Sequence, residues 1–194
     1  MRLITFDTET TDLSPGQICQ LAYLICDGEA ISGKNMFFTV DSMSEGSQNV
    51  HGMSMEDLET LSGGDRFETR AEEIFHDFSS AELLVGHNVS FDDRFLRAEL
   101  QRAGMALGRV RTFCTMNYFT ADMNMKRKFQ TGRPKPPKLV ELAAYFGLDD
   151  AEIEQNSAQW FGGGGNAHDA RFDTAMTFMC LREGARRGMI RGIL

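Results

Sequence analysis

The sequence predicts an α/β fold with a mixed, five-stranded central sheet flanked by helices. Three observations carry this. Three apolar segments joined by short turns open the chain. Helical and strand-like segments then alternate. The chain closes on helices of clear amphipathic spacing.

Residues 2–6 form the first expected strand, too short an apolar run for an ordinary helix. The second, 18–26, stops at the Asp27-Gly28 turn signal. A third is expected at 35–40, which makes a meander. Ser54 can cap a short helix. Over 67–79, Phe67, Ala71, Ile74, Phe75 and Phe78 share one helical face. Residues 81–86 give a fourth strand. An amphipathic helix follows, with Ser90 as expected N-cap, acids Asp92 and Asp93 early, and Gly104 past its end. A short strand at 109–113 and a helix at about 115–125 come next. A basic, proline-rich stretch, 126–138, reads as a loop. The segment 138–148 is a compact helix stopped at Gly147, and the glycines at 162–165 form a linker before a last helix at about 168–187. No repeat or clean boundary divides the 194 residues, so one domain is expected.

Composition narrows the function. Four scattered cysteines without metal-like spacing suit a reducing, cytoplasmic setting. No apolar run is long enough to span a membrane. The net charge of −8 argues against a protein that coats nucleic acid. Lys126 to Lys138, however, holds six basic residues and no acid, leaving −14 on the rest. Lys126, Arg127 and Lys128 are candidates to neutralise a phosphate backbone. The other reading of the stretch is a solvated loop.

The acids are the sharper signal. Asp7 and Glu9 lie two apart, so on a strand they point the same way and repel unless a cation lies between them. Hard divalent ions take such oxygen ligands. Asp92 follows the fourth strand in the first turn of its helix, near the same sheet edge. His168 and Asp173 straddle the start of the last helix. His168 is placed to take a proton from water. Asp169 reads as an ordinary first-turn acid, His76 as a structural or exposed side chain, and His87 as a residue that shapes the turn after the fourth strand.

Asp7-Thr8-Glu9, the segment "HNVSFD" ending at Asp92, and "HDARFD" with His168 and Asp173 resemble the three motifs of the DEDDh, or DnaQ-like, 3′–5′ exonucleases. Within that family the chain is most similar to the epsilon-type proofreading subunits of bacterial replicative polymerases and their stand-alone relatives. The resemblance implies a ribonuclease H-like fold. It implies that Asp7, Glu9, Asp92 and Asp173 hold two Mg²⁺ or Mn²⁺ ions for in-line phosphoryl displacement, with His168 as general base. Thr8, Glu9, Thr10, Leu13, Val50, His51, Asn88 and Phe91 would then line a pocket for the 3′-terminal nucleotide. The implied substrate is single-stranded DNA, with RNA as the rival. A polymerase is an implied partner, and the assembly a monomer or homodimer. The chain stops at Leu194, where epsilon-type subunits continue into a polymerase-binding tail, so a free-standing enzyme or a shortened chain is expected. A non-catalytic binding module is the alternative of another class, against which all four acids and the histidine stand. One departure is Asp12, where many members of the family carry glycine. If the position needs a positive φ, Asp tolerates it better than most residues.

Overall fold

The computed structural model describes residues 1–14, 16–126, 132–163 and 169–193. Five strands, β1 (Arg2–Thr10), β2 (Ile18–Asp27), β3 (Ala30–Phe37), β4 (Leu83–Gly86) and β5 (Arg111–Cys114), form one sheet in the order β3-β2-β1-β4-β5. β1, β2 and β3 run antiparallel, as the expected meander does. β4 and β5 join parallel to β1. The sheet is therefore mixed.

Eight helices are described: α1 (Glu45–His51), α2 (Met55–Ser62), α3 (Phe67–Ser79), α4 (Val89–Arg102), α5 (Thr115–Met123), α6 (Leu139–Phe146), α7 (Asp150–Phe161) and α8 (Ala170–Arg186). Strand alternation divides the core between the two faces of the sheet. Leu3, Leu24, Leu83 and Val85 pack under the helices from α5 to α8, against Phe146, Phe172 and Met176. Ile4, Phe6, Tyr23 and Leu84 face α3 and α4, against Phe78, Phe95 and Leu100.

Several boundaries depart from the sequence expectations. β1 runs on to Thr10, because β2 pairs with it throughout. The third strand is Ala30–Phe37 rather than 35–40. The chain folds straight back at Gly28, whose φ of 62° is easy for glycine, and pairs Ala30 with Asp27. The apolar run that suggested 35–40 is buried for another reason: Phe38 and Val40 enter the core from a loop. Helix α4 begins at Val89 and is preceded by Asn88 in the left-handed region (φ 73°), so Ser90 is not its cap. α1 and α7 were not expected. α7 buries only Ile153 and Ser157, too thin an apolar stripe to read, although Asp149 caps its start and Gly162 its end.

A shift in register places the site. β1 pairs with β4 only from Leu3 to Thr5, so beyond Thr5 one flank of β1 has no strand partner among the described residues. On the other flank an irregularity falls between Glu9 and Thr10, where Cys19 is the extra residue of β2. Such a bulge strengthens the local twist and re-aims side chains.

Candidate active site

Asp7 and Glu9 stand on the stretch of β1 that outruns β4, and point to the side on which α8 packs. There they meet Asp173, from the first turn of α8. One carboxylate oxygen from each of the three lies within 4.8 Å of the others. Asp92, almost fully buried in the first turn of α4, comes from the other side of β1. Its Oδ1 accepts both the backbone N–H of Thr8 (3.2 Å) and the Thr8 hydroxyl (2.7 Å). The sequence thus alternates acid, anchor, acid: Thr8 points away from its two acidic neighbours and ties α4 to the strand.

The electrostatics follow from burial and crowding. Burial raises the Asp7 carboxyl well above the usual range, and Asp92, Asp173 and Glu9 raise it further. Glu9 is pushed up to about 9, by burial first and then by Asp173 and Asp92. Asp92 rises only to about 7, because Thr8 opposes the effect of burial. The three clustered carboxylates, Asp7, Glu9 and Asp173, could serve together as a donor set for a hard cation. Their all-oxygen chemistry fits Mg²⁺ or Mn²⁺.

Sequence reasoning missed what seats α8. Gln20, opposite Glu9 on β2, is fully buried. Its Nε2 donates to Asp169 (3.0 Å) and to Asn35 (2.8 Å), and its Oε1 accepts the N–H of Ala170 (3.2 Å). Asp169 is not an ordinary first-turn acid. It is the N-cap of α8, accepting from the backbone of Arg171 and pairing with the Arg171 guanidinium at 2.6 Å. Burial alone would raise its pKa, but Arg171 and Gln20 hold it below the usual value. Asp169 therefore seats the start of the helix that carries Asp173, and its paired but ionised carboxylate still helps to raise Asp7 and Glu9. A lone glutamine in an apolar strand is the signal that could have flagged this seat.

Next to the acids lies a pocket of about 450 Å³. Thr8, Glu9, Thr10, Leu13, Val50, His51 and Phe91 line it, together with Asp12, Ser44, Gly46 and Ser47, which were not expected. Asn88 is exposed at the head of α4 and is not among the lining residues. The His51 Nδ1 accepts the N–H of Met53 (3.1 Å), which leaves Nε2 protonated, 3.9 Å from the Cys19 sulfur. Asp12 does not have a positive φ: among the described residues only Asn88 and Asn124, apart from glycines, do. Its Oδ1 accepts the N–H of Leu13 (2.6 Å).

His168, Arg127 and Lys128 lie outside the described residues. Lys126 is exposed, beside an antiparallel bridge between Met125 and Lys135 that brings the ends of the basic stretch together. His87 holds the base of this stretch, with Nδ1 3.0 Å from the Thr115 hydroxyl and Nε2 3.0 Å from the Pro137 carbonyl. His76 is exposed. Cys19, Cys26 and Cys180 are buried and Cys114 half-buried, all four free. Among the described residues, no helix is long and apolar enough to cross a membrane.

The model of an exonuclease family (RNase_T) matches residues 4–153, which include Asp7, Glu9 and Asp92. The chain belongs to this exonuclease family. Within it, the chain is similar to the DNA polymerase III subunit epsilon of Rickettsia felis and of Rickettsia conorii. Each is 31% identical over 106 residues, covering 52% of this chain and 44% of the relative. Among solved structures, this exonuclease-family chain resembles a zinc-bound E. coli ExoI–ssDNA complex. The TM-score is 0.71 at 17% identity, over 96% of this chain and 41% of that one. An apo exonuclease I gives 0.67 at 15% identity, over 95% of this chain and 42% of that one. At such identities the likeness is one of fold. The chain spans less than half the length of these relatives.

Proposed function

We propose that the protein is a metal-dependent 3′–5′ exonuclease that shortens single-stranded DNA to nucleoside 5′-monophosphates. The observation that carries this reading is the junction of two features on one strand. Glu9 belongs both to the acidic cluster and to the wall of the neighbouring pocket. A terminal nucleotide in that pocket has its phosphodiester beside the acids.

In this reading Asp7, Glu9, Asp92 and Asp173 would hold two divalent ions. When bound, such ions supply charge neutralisation for the attacking and leaving oxygens of phosphoryl transfer. The chain's own residues do the rest. Leu13 and Phe91 offer apolar surfaces to the terminal base and sugar. Thr8 holds Asp92 ionisable, and Gln20 with Asp169 holds the helix that carries Asp173. His168 accepts the proton of the attacking water. The bond from phosphorus to the 3′-oxygen of the preceding nucleotide then breaks, and that nucleotide is left with a new 3′-hydroxyl.

Single-stranded DNA is favoured over RNA by the relatives, which are DNA polymerase subunits and an exonuclease complexed with single-stranded DNA. A polymerase partner is proposed on the same ground. The test is cleavage of matched 5′-labelled DNA and RNA oligonucleotides with Mn²⁺. A ladder shrinking from the 3′ end is expected on DNA, and none with Asp7→Ala. Preferential RNA shortening would replace the substrate. A wild type no faster than Asp7→Ala on either would refute the enzyme reading.

A further inference from the structure

Leu13 poses a problem of its own. It is 78% exposed, at the tip of the loop after β1, and nothing about folding requires it to be held still. Yet helix α4 reaches across to this loop twice. The Arg94 Nη2 donates to the carbonyl of Leu13 itself (3.1 Å). About two turns further on, the Arg102 Nη2 donates to the carbonyl of Gly16 (2.6 Å).

Both guanidinium groups are fixed before they reach the loop. Arg94 makes no ion pair among the described residues. Its guanidinium carbon instead lies 5.4 Å from the ring centre of Phe91 and 5.6 Å from that of Phe95. Arg102 is held by Glu99 at 2.9 Å. Glu99 is itself buried, and its Oε1 accepts the N–H of Ile18, where the loop rejoins the sheet (2.8 Å). The planar fork of arginine suits this use, since little order is lost per bond once the group is stacked or paired.

We infer that Arg94 and Arg102 are positioning residues, which set Leu13 as a rigid apolar wall against the base of the 3′-terminal nucleotide. The inference rests on the proposed exonuclease reading and adds to it the source of the wall's rigidity. Arg94 has the larger share, because it holds the Leu13 carbonyl and, at the same time, lies over Phe91, a second apolar residue lining the pocket. One side chain thereby ties both apolar surfaces together. A preorganised pocket binds better because less order is lost on binding.

The test uses steady-state cleavage of single-stranded DNA ending in an ordinary nucleotide or in an abasic one. Arg94→Met keeps the apolar stem and removes the fork. It should raise KM about tenfold on the ordinary end with kcat within about twofold of wild type. On the abasic end, which gives Leu13 no base to pack against, it should change nothing. Added to Leu13→Ala, it should have little further effect. An equal rise in KM on both ends, full additivity with Leu13→Ala, or no change in KM would each overturn the inference. A second measurement needs no catalysis. In a Leu13→Trp background with Trp160→Phe, which leaves the loop tryptophan as the single emitter, Arg94→Met should lower the fluorescence anisotropy of the loop, and unchanged anisotropy would refute the pinning. A wild type that shortens no 3′ end would instead remove the enzyme reading, and with it the purpose of the wall, whatever the anisotropy.

Discussion

Glu9→Gln should stabilise the metal-free protein, although it removes a proposed metal ligand. Glu9 is almost fully buried and its pKa is pushed up to about 9, from an ordinary 4.5. For a group raised in the folded state, the stabilising contribution is complete below the unfolded pKa. It is lost as pH rises towards the folded one. At pH 7 the loss spans about 2.5 pH units at about 1.36 kcal/mol each, or about 3 kcal/mol. At pH 5 it is under about 1 kcal/mol. Glutamine has the shape of the protonated acid and never ionises. At roughly 2–4 °C per kcal/mol for a chain of this size, Glu9→Gln should raise Tm by about 6–12 °C at pH 7 and by only about 2–3 °C at pH 5. The assay is a thermal melt of chelator-treated protein across that range. Saturating Mn²⁺ should narrow or invert the difference, since bound metal stabilises the wild type more. A variant that melts at or below the wild type in chelator at pH 7 would refute the reasoning. It would mean that the acids are neither buried nor crowded enough to resist ionising together.

Other perturbations probe the supports. Thr8→Val removes the hydroxyl on Asp92 Oδ1 and should raise the Asp92 pKa above about 7. The Mn²⁺ concentration for half-maximal activity at pH 7 should then rise several-fold, and less so at pH 8.5. An unchanged metal titration would sink the anchoring role. Gln20→Met should leave the sheet intact but unseat the start of α8, with a stability cost of about 1–3 kcal/mol by denaturant titration and weaker metal binding. Neutralising Lys126, Arg127 and Lys128 should raise KM and flatten its dependence on salt, and a salt series identical to wild type would exclude a backbone contact. Metal affinity should climb between pH 6 and 9, because the raised carboxyls must lose protons to bind, as isothermal titration in two buffers would show.

The parts of this molecule that are legible in sequence are those where one local pattern decides. Asp7 and Glu9 are readable because a strand has period two, and α3 because five apolar residues fall on one face. Asp92 is readable because it follows a short apolar strand and a turn. The supports are different. Gln20 meets Asp169 across 149 residues, and Arg94 meets Leu13 across 81. Such bonds belong to the packing of distant elements and leave no periodic trace. Asp169 misled for the same reason. As an acid at a helix start it has a sufficient local explanation, and only the buried glutamine beneath it reveals its part in the site. Asp12 turned on backbone geometry: its φ is ordinary, so the position asks nothing of glycine in this chain.

The two walls of the pocket differ in how freely they can change. The Leu13 wall is tied to α4, which also carries Asp92, so a substitution there reaches the acids. Helix α1 forms the other wall and buries none of its residues, and its Val50 is 56% exposed. Substitutions along that helix leave the core untouched and cost the fold little. Under the proposed exonuclease reading, variation in which terminal nucleotide is accepted can therefore accumulate on α1 while the chemistry stays fixed. A library aimed at altered preference belongs on Ser47 and Val50 rather than on the loop opposite.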